Sequence, residues 1–89
     1  MNQRAQTLNR LRRQIDRIDR ELLRLLNRRA TLAVHIGNLK KKQGLPVFDS
    51  RREKQVLGRL KRTNRGPLPA GSIRRIFHQI LACSRKLED

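Results

Sequence analysis

Residues 8–26 read LNRLRRQIDRIDRELLRLL. Within them Leu8, Leu11, Ile15, Ile18, Leu22 and Leu25 recur at spacings of 3, 4, 3, 4 and 3. That period lays an apolar seam along one side of an α-helix. The pattern resumes at Leu32, Ile36 and Leu39, and no Gly or Pro interrupts it between Ala5 and Gly37. A long helix is therefore predicted from about Gln3 to Lys42. Leu23, Leu26, Ala30, Ala33 and Val34 widen the apolar face on one side, as in a helix that packs against more than one neighbour.

Gly44 and Pro46 end this helix, because proline lacks an N–H and restricts the residue before it. Ser50-Arg51-Arg52-Glu53 then reads as a capping box, with Asp49 as the alternative cap. A second helix carries Val56, Leu57 and Leu60 on one face and stops near Thr63-Asn64-Arg65-Gly66-Pro67. A third begins at a Ser72 cap or earlier at Pro69, with Ile73, Ile76, Phe77, Ile80, Leu81 and Leu87 on its apolar face. No strand-like alternation is present. The class is all-α, with a long, a short and a medium helix in a single domain over residues 1–89. A helix of roughly 38 residues is about 57 Å long, whereas a compact domain of this size is only about 30 Å across. The long helix overhangs any cover that the other two supply, and an intertwined homodimer resolves this.

The 89 residues include 23 Lys+Arg against 7 Asp+Glu, a formal charge of +16, with 36% hydrophobic and 2% aromatic residues. Two Phe, no Tyr and no Trp exclude a conventional aromatic core and a surface that stacks bases on rings. A single cysteine, Cys83, excludes an internal disulfide, and no Cys/His cluster has zinc-ligand spacing. Apolar runs are too short for a membrane span, and the N-terminus lacks the apolar core of a signal peptide, so a soluble cytoplasmic protein is expected. The basic excess reads either as a footprint for nucleic acid or another anionic surface, or as a few anion-binding arginines among solvated ones.

Polar residues in apolar slots separate these readings. The seam position after Leu25 holds Arg29. A charge there is costly unless paired, so Arg29 is a structural ion pair, a snorkelling side chain or a ligand group. Lys40 lies three turns further on, nearly in line with Arg29, although Lys40-Lys41-Lys42 also suits a helix C-terminus. Arg12 is about 25 Å from Arg29 along the helix, and reaches a shared ligand only across an antiparallel dimer. Glu53 complements the start of the second helix, whereas a cation at Arg52 does not. Ser84 and Glu88 extend the stripe of Phe77 and Leu81 with a hydroxyl and a carboxyl. His35 and Cys83 have no partner at triad or metal spacing.

Arg29-x-x-Leu32-Ala33-x-x-Ile36-Gly37-x-x-Lys40, followed by Pro46-Val47-x-Asp49-x-x-Arg52-Glu53, resembles the all-helical chorismate mutases. Leu11-Arg12-x-x-Ile15-x-x-Ile18-Asp19-x-x-Leu22-Leu23 is similar to the start of that domain, and Ile80-Leu81-x-x-Ser84-x-x-x-Glu88 to its end. The resemblance implies an intertwined homodimer of three-helix protomers that rearranges chorismate to prephenate in the shikimate pathway of aromatic amino acid biosynthesis. This pericyclic reaction needs no cofactor, metal or nucleophile.

Also implied by the resemblance are the site roles. Arg29 and the partner's Arg12 bind carboxylates, and Lys40 donates to the enolpyruvyl ether oxygen. Arg52 adds positive charge. Glu53 and the backbone at Asp49 hold the ring hydroxyl. Ser84 meets the ring carboxylate region, and Glu88 gives the ether oxygen a second donor when protonated. Three rivals remain at this point, one of them a catalytically dead helical scaffold. An isochorismate-pyruvate lyase shares the fold, and a basic helical dimer binding nucleic acid non-specifically explains the charge.

Overall fold

The computed structural model describes residues 2–89. It consists of α1 (Gln3–Gln43), α2 (Ser50–Thr63) and α3 (Ala70–Glu88). The described residues contain no strand, and no helix is long and apolar enough to cross a membrane. The long, short and medium helices are those predicted. The chain divides after Thr31 into two units, and α1 runs through the division.

The first unit is the leading part of α1. The Asn2 carboxamide oxygen accepts from the Arg4 amide at 3.0 Å and so caps the first turn. Glu21 and Arg24 form an ion pair one turn apart, which holds the Glu21 carboxyl below its ordinary range and raises the Arg24 guanidinium. Both are solvent-exposed, so the pair adds little stability. The seam residues from Leu8 to Leu25 are each between 45% and 59% exposed in the single chain, the extremes being Leu25 and Ile18.

The second unit begins at Leu32 and holds the end of α1, α2 and α3. At the end of α1, Gly44 has φ +68°, a left-handed conformation that side chains disfavour. There the Leu45 amide donates to the Lys40 carbonyl at 2.8 Å and the Gly44 amide to the Lys41 carbonyl at 3.4 Å. Together these bonds form a Schellman motif that satisfies two carbonyls of the last turn. The helix thus closes at Gly44, one of the two residues expected to end it, with Pro46 two residues further on.

Between the two candidate caps of α2, the structure selects Asp49. Its carboxylate accepts from the Arg52 amide at 3.0 Å, which corrects the capping-box reading. With the cap at Asp49, Glu53 lies one residue too late to close the box, and its side chain is turned to α3 instead. After α2, the Asn64 side chain accepts from the Gly66 amide and donates to the Leu68 carbonyl, ordering the turn. The third helix takes the earlier start, with Pro69 at its N-cap and the Pro69 carbonyl accepting from the Ser72 amide. Ser72 is thus a first-turn residue, not the cap.

The described buried residues of this unit are Ala33 and Gly37 on α1 and Leu81 and Ser84 on α3. Each pair is spaced by one helical turn, so small residues face inward on α1. Gly44→Ala is expected to destabilise the fold by about 1–2 kcal/mol, because alanine resists a left-handed backbone. Gly58→Ala should stabilise it by up to about 1 kcal/mol, since a β-carbon there meets only the end of the Arg62 side chain, at 3.3 Å. Urea titrations followed by circular dichroism test both signs.

Candidate functional site

The second unit brings Lys40 and Glu88 together from opposite ends of its sequence. The Lys40 ammonium donates to Glu88 Oε1 at 2.6 Å and to the Val47 carbonyl at 2.8 Å. The side chains of the pair are only 18% and 12% exposed, which sets this ion pair apart from weak surface ones. An ammonium has three N–H donors. Two are spent on Val47 and Glu88, so one remains for a ligand.

Gly37 makes this approach possible. A β-carbon there would stand 2.5 Å from the Glu88 carbonyl oxygen and 2.6 Å from its Cα. Such distances are too short for any side chain, so α3 ends against the bare backbone of α1. Lys40 follows Gly37 by three residues and therefore rises over the same region. Ser84, one turn before Glu88, is buried and donates to the Ile80 carbonyl at 3.0 Å. A hydroxyl that donates in this way can also accept through its lone pairs.

Glu53 forms an ion pair with Arg85, whose guanidinium lies over the Phe48 ring at 5.5 Å from the centroid. Arg85 thereby links α2, α3 and the segment before α2. Cation–π contacts of this kind add about 0.5–1 kcal/mol at exposed sites. Asp49 spends its carboxylate on the α2 cap. Arg52 is exposed, and its guanidinium donates to Gln55 Oε1 at 2.8 Å along the helix.

Of the expected site residues, the second unit thus joins Lys40 to Glu88, sets Ser84 one turn away and ties Glu53 to α3. Arg52 is turned to its own helix. Arg12 and Arg29 belong to the first unit, where Arg12 is exposed and Arg29 half-buried.

Three contributors escaped the sequence reading. Gly37 stood inside a quoted motif without a role, although its spacing from Ala33 marks a small-residue face. The Val47 carbonyl carries no side-chain signal. Arg85 follows Leu81 by one turn, so a cation at the edge of the apolar stripe was visible but unused.

A family model described as chorismate mutase type II matches residues 11–89. The chain belongs to that family. Among chorismate mutase relatives, it is 40% identical over 85 residues to the bifunctional chorismate mutase/prephenate dehydratase of Aquifex aeolicus (strain VF5), a match covering 91% of this chain and 24% of that protein. The corresponding bifunctional protein of Neisseria gonorrhoeae is 43% identical over 82 residues, covering 88% of this chain and 22% of the relative. The chain thus spans about a quarter of the length of these curated relatives. The structure of chorismate mutase (Form II) from Thermus thermophilus superposes with a TM-score of 0.89 at 42% identity, covering 91% of this chain and 92% of that one. The three-helix architecture is therefore that of the chorismate mutase family.

Gly37→Ala is expected to lower stability by about 1–3 kcal/mol through overpacking. Gly71→Ala should not lower it, because the added methyl meets only the Arg75 guanidinium, at 3.6 Å. Chemical denaturation of the two variants side by side measures the contrast.

Proposed function

We propose that this chain is a cytoplasmic chorismate mutase, its residues 1–89 acting as one domain of a homodimer that rearranges chorismate to prephenate. The observation that carries the reading is the shielded Lys40 ammonium, fixed by Val47 and Glu88 with a donor to spare, in a chain of the chorismate mutase family.

The chemistry follows from the substrate. Chorismate carries two carboxylates and a flexible enolpyruvyl ether. One C–O bond breaks while one C–C bond forms, with no proton transfer and no covalent intermediate. Arginine forks bind carboxylates through paired, charge-assisted hydrogen bonds. In this proposal Arg29 and the partner's Arg12 hold the carboxylates and press the arm over the ring, which reduces the entropic barrier. Negative charge grows on the ether oxygen as its bond to the ring breaks. The remaining Lys40 N–H meets that oxygen and stabilises the transition state more than the ground state.

Glu88 stands beside Lys40 and in its acid form supplies a second donor to the same oxygen. Glu53, steadied by Arg85, accepts from the ring hydroxyl, which the Asp49 backbone also contacts. Ser84 faces the ring carboxylate, and Arg52 adds positive potential. The homodimer rests on the half-exposed Leu8–Leu25 seam, which a second copy would cover.

Incubation with chorismate and product identification by NMR tests the reading. Prephenate is expected from the wild type and not from Arg29→Ala, and Lys40→Ala should lower kcat by about 10²–10³-fold. Absence of turnover by the folded wild type would refute the assignment. The shared site has its own test. Arg12→Ala and Lys40→Ala should each keep at most about a hundredth of the activity, yet mixing them should restore about a quarter of the wild-type activity, since half of the dimers are then mixed and each mixed dimer has one intact site. No recovery after subunit exchange would refute a trans role for Arg12. Glu88→Gln should keep turnover, because the amide is also a donor, whereas Glu88→Leu, of similar size but without a donor, should lower it. Equal turnover in the two variants would remove Glu88 from the donor role.

A further inference from the structure

The side of α1 away from its leucine seam carries a second, regular stripe. Arg10, Arg13, Arg17, Arg20, Arg24 and Arg28 follow at spacings of 3, 4, 3, 4 and 4. On a helix of 3.6 residues per turn they fall within an arc of about 80°, centred about 140° from the Leu8–Leu25 seam. All six are solvent-exposed. The stripe runs about 27 Å from Arg10 to Arg28 at 1.5 Å per residue. Residues 1–31 contain nine Arg and no Lys. Among the described residues, Arg24 has Glu21 as an ion-pair partner, and no ion pair holds the other five.

Consecutive arginines in this stripe are three or four residues apart, where like charges repel. An anion laid along the stripe relieves the repulsion among the five arginines outside the Glu21–Arg24 pair. We propose that this face of α1 binds the phosphate backbone of duplex nucleic acid without reading its sequence. A duplex presents about one negative charge per 1.7 Å of axis, so a straight row of cations some 27 Å long can be matched along its whole length. Guanidinium forks suit phosphate oxygens better than ammonium groups do.

The absence of aromatic residues from residues 1–31 removes base stacking and leaves the backbone as the target. An anionic membrane fits less well, because an interfacial helix inserts the apolar face that lies opposite its cations, and here that leucine face is the one a second copy covers in the proposed homodimer. The stripe does not use Arg12 or Arg29, so it stands apart from the rearrangement reading. It also remains open to solvent when the leucine seam is covered.

Fluorescence anisotropy of a short labelled DNA duplex, titrated with the full chain over a range of salt, tests this. With five unpaired arginines engaged, log K should fall against log salt with a slope of about −4 to −5. The triple variant Arg13→Gln, Arg17→Gln, Arg20→Gln should make the slope shallower by about 3 and keep its helical circular dichroism. A control with Arg59→Gln, Arg62→Gln and Arg65→Gln has the same net charge and should retain the wild-type slope. Equal losses in both triples would overturn the proposal, because binding would then follow net charge alone. So would the absence of duplex binding at low salt, or binding to phosphatidylserine vesicles in preference to the duplex.

Discussion

At Gly37 a β-carbon would lie 2.5 Å from the Glu88 carbonyl oxygen, so the end of α3 rests where α1 has no side chain. That steric constraint governs the rest of the second unit. It brings a carboxylate within 2.6 Å of the Lys40 ammonium. It also sets Ser84, one turn back on α3, inside the packed region. Ala33, one turn earlier on α1, is also buried, and a side chain at Gly37 would lift the end of α3 away. Backbone contact of this kind gives a defined separation without a large core. It thus serves a single chain in which few of the described residues are buried.

The thin interior has an electrostatic counterpart. Ion pairs and caps supply order that apolar burial does not: Asp49 fixes the start of α2, Glu53 and Arg85 join α2 to α3, and Arg85 covers Phe48. In the first unit, apolar and cationic residues are segregated around one helix. The leucine seam suits a second copy and the arginine row suits a polyanion, so the two proposed surfaces do not compete for the same side of α1.

The helices were legible because their signals are local. The 3-4 spacing from Leu8 to Leu25 can belong only to a helix, and Gly44 and the Thr63–Pro67 segment punctuate it plainly. Lys40, Ser84 and Glu88 stood out because each places a polar group where a helical stripe calls for an apolar one. The choice between Asp49 and Ser50 as cap was not legible, since both side chains can accept from an amide at that turn and only the backbone decides. Gly37 shows a different limit. A glycine inside a helix reads as a weak spot, and its purpose emerges only when another backbone is seen against it. Arg85 was hidden by the abundance of arginine, which makes any one of 23 basic residues look like solvent decoration.

The Schellman turn at Gly44 has a consequence for the order in which the site assembles. Lys40 is gripped at both ends by the segment that follows it: its carbonyl by the Leu45 amide, its ammonium by the Val47 carbonyl. The ammonium link spans 7 residues, whereas the link to Glu88 spans 48. Closing the longer loop costs about 2 kcal/mol more in chain entropy than closing the shorter one. The cation can therefore be oriented by its own neighbourhood before α3 arrives. The distant carboxylate then docks onto a group whose freedom has already been removed.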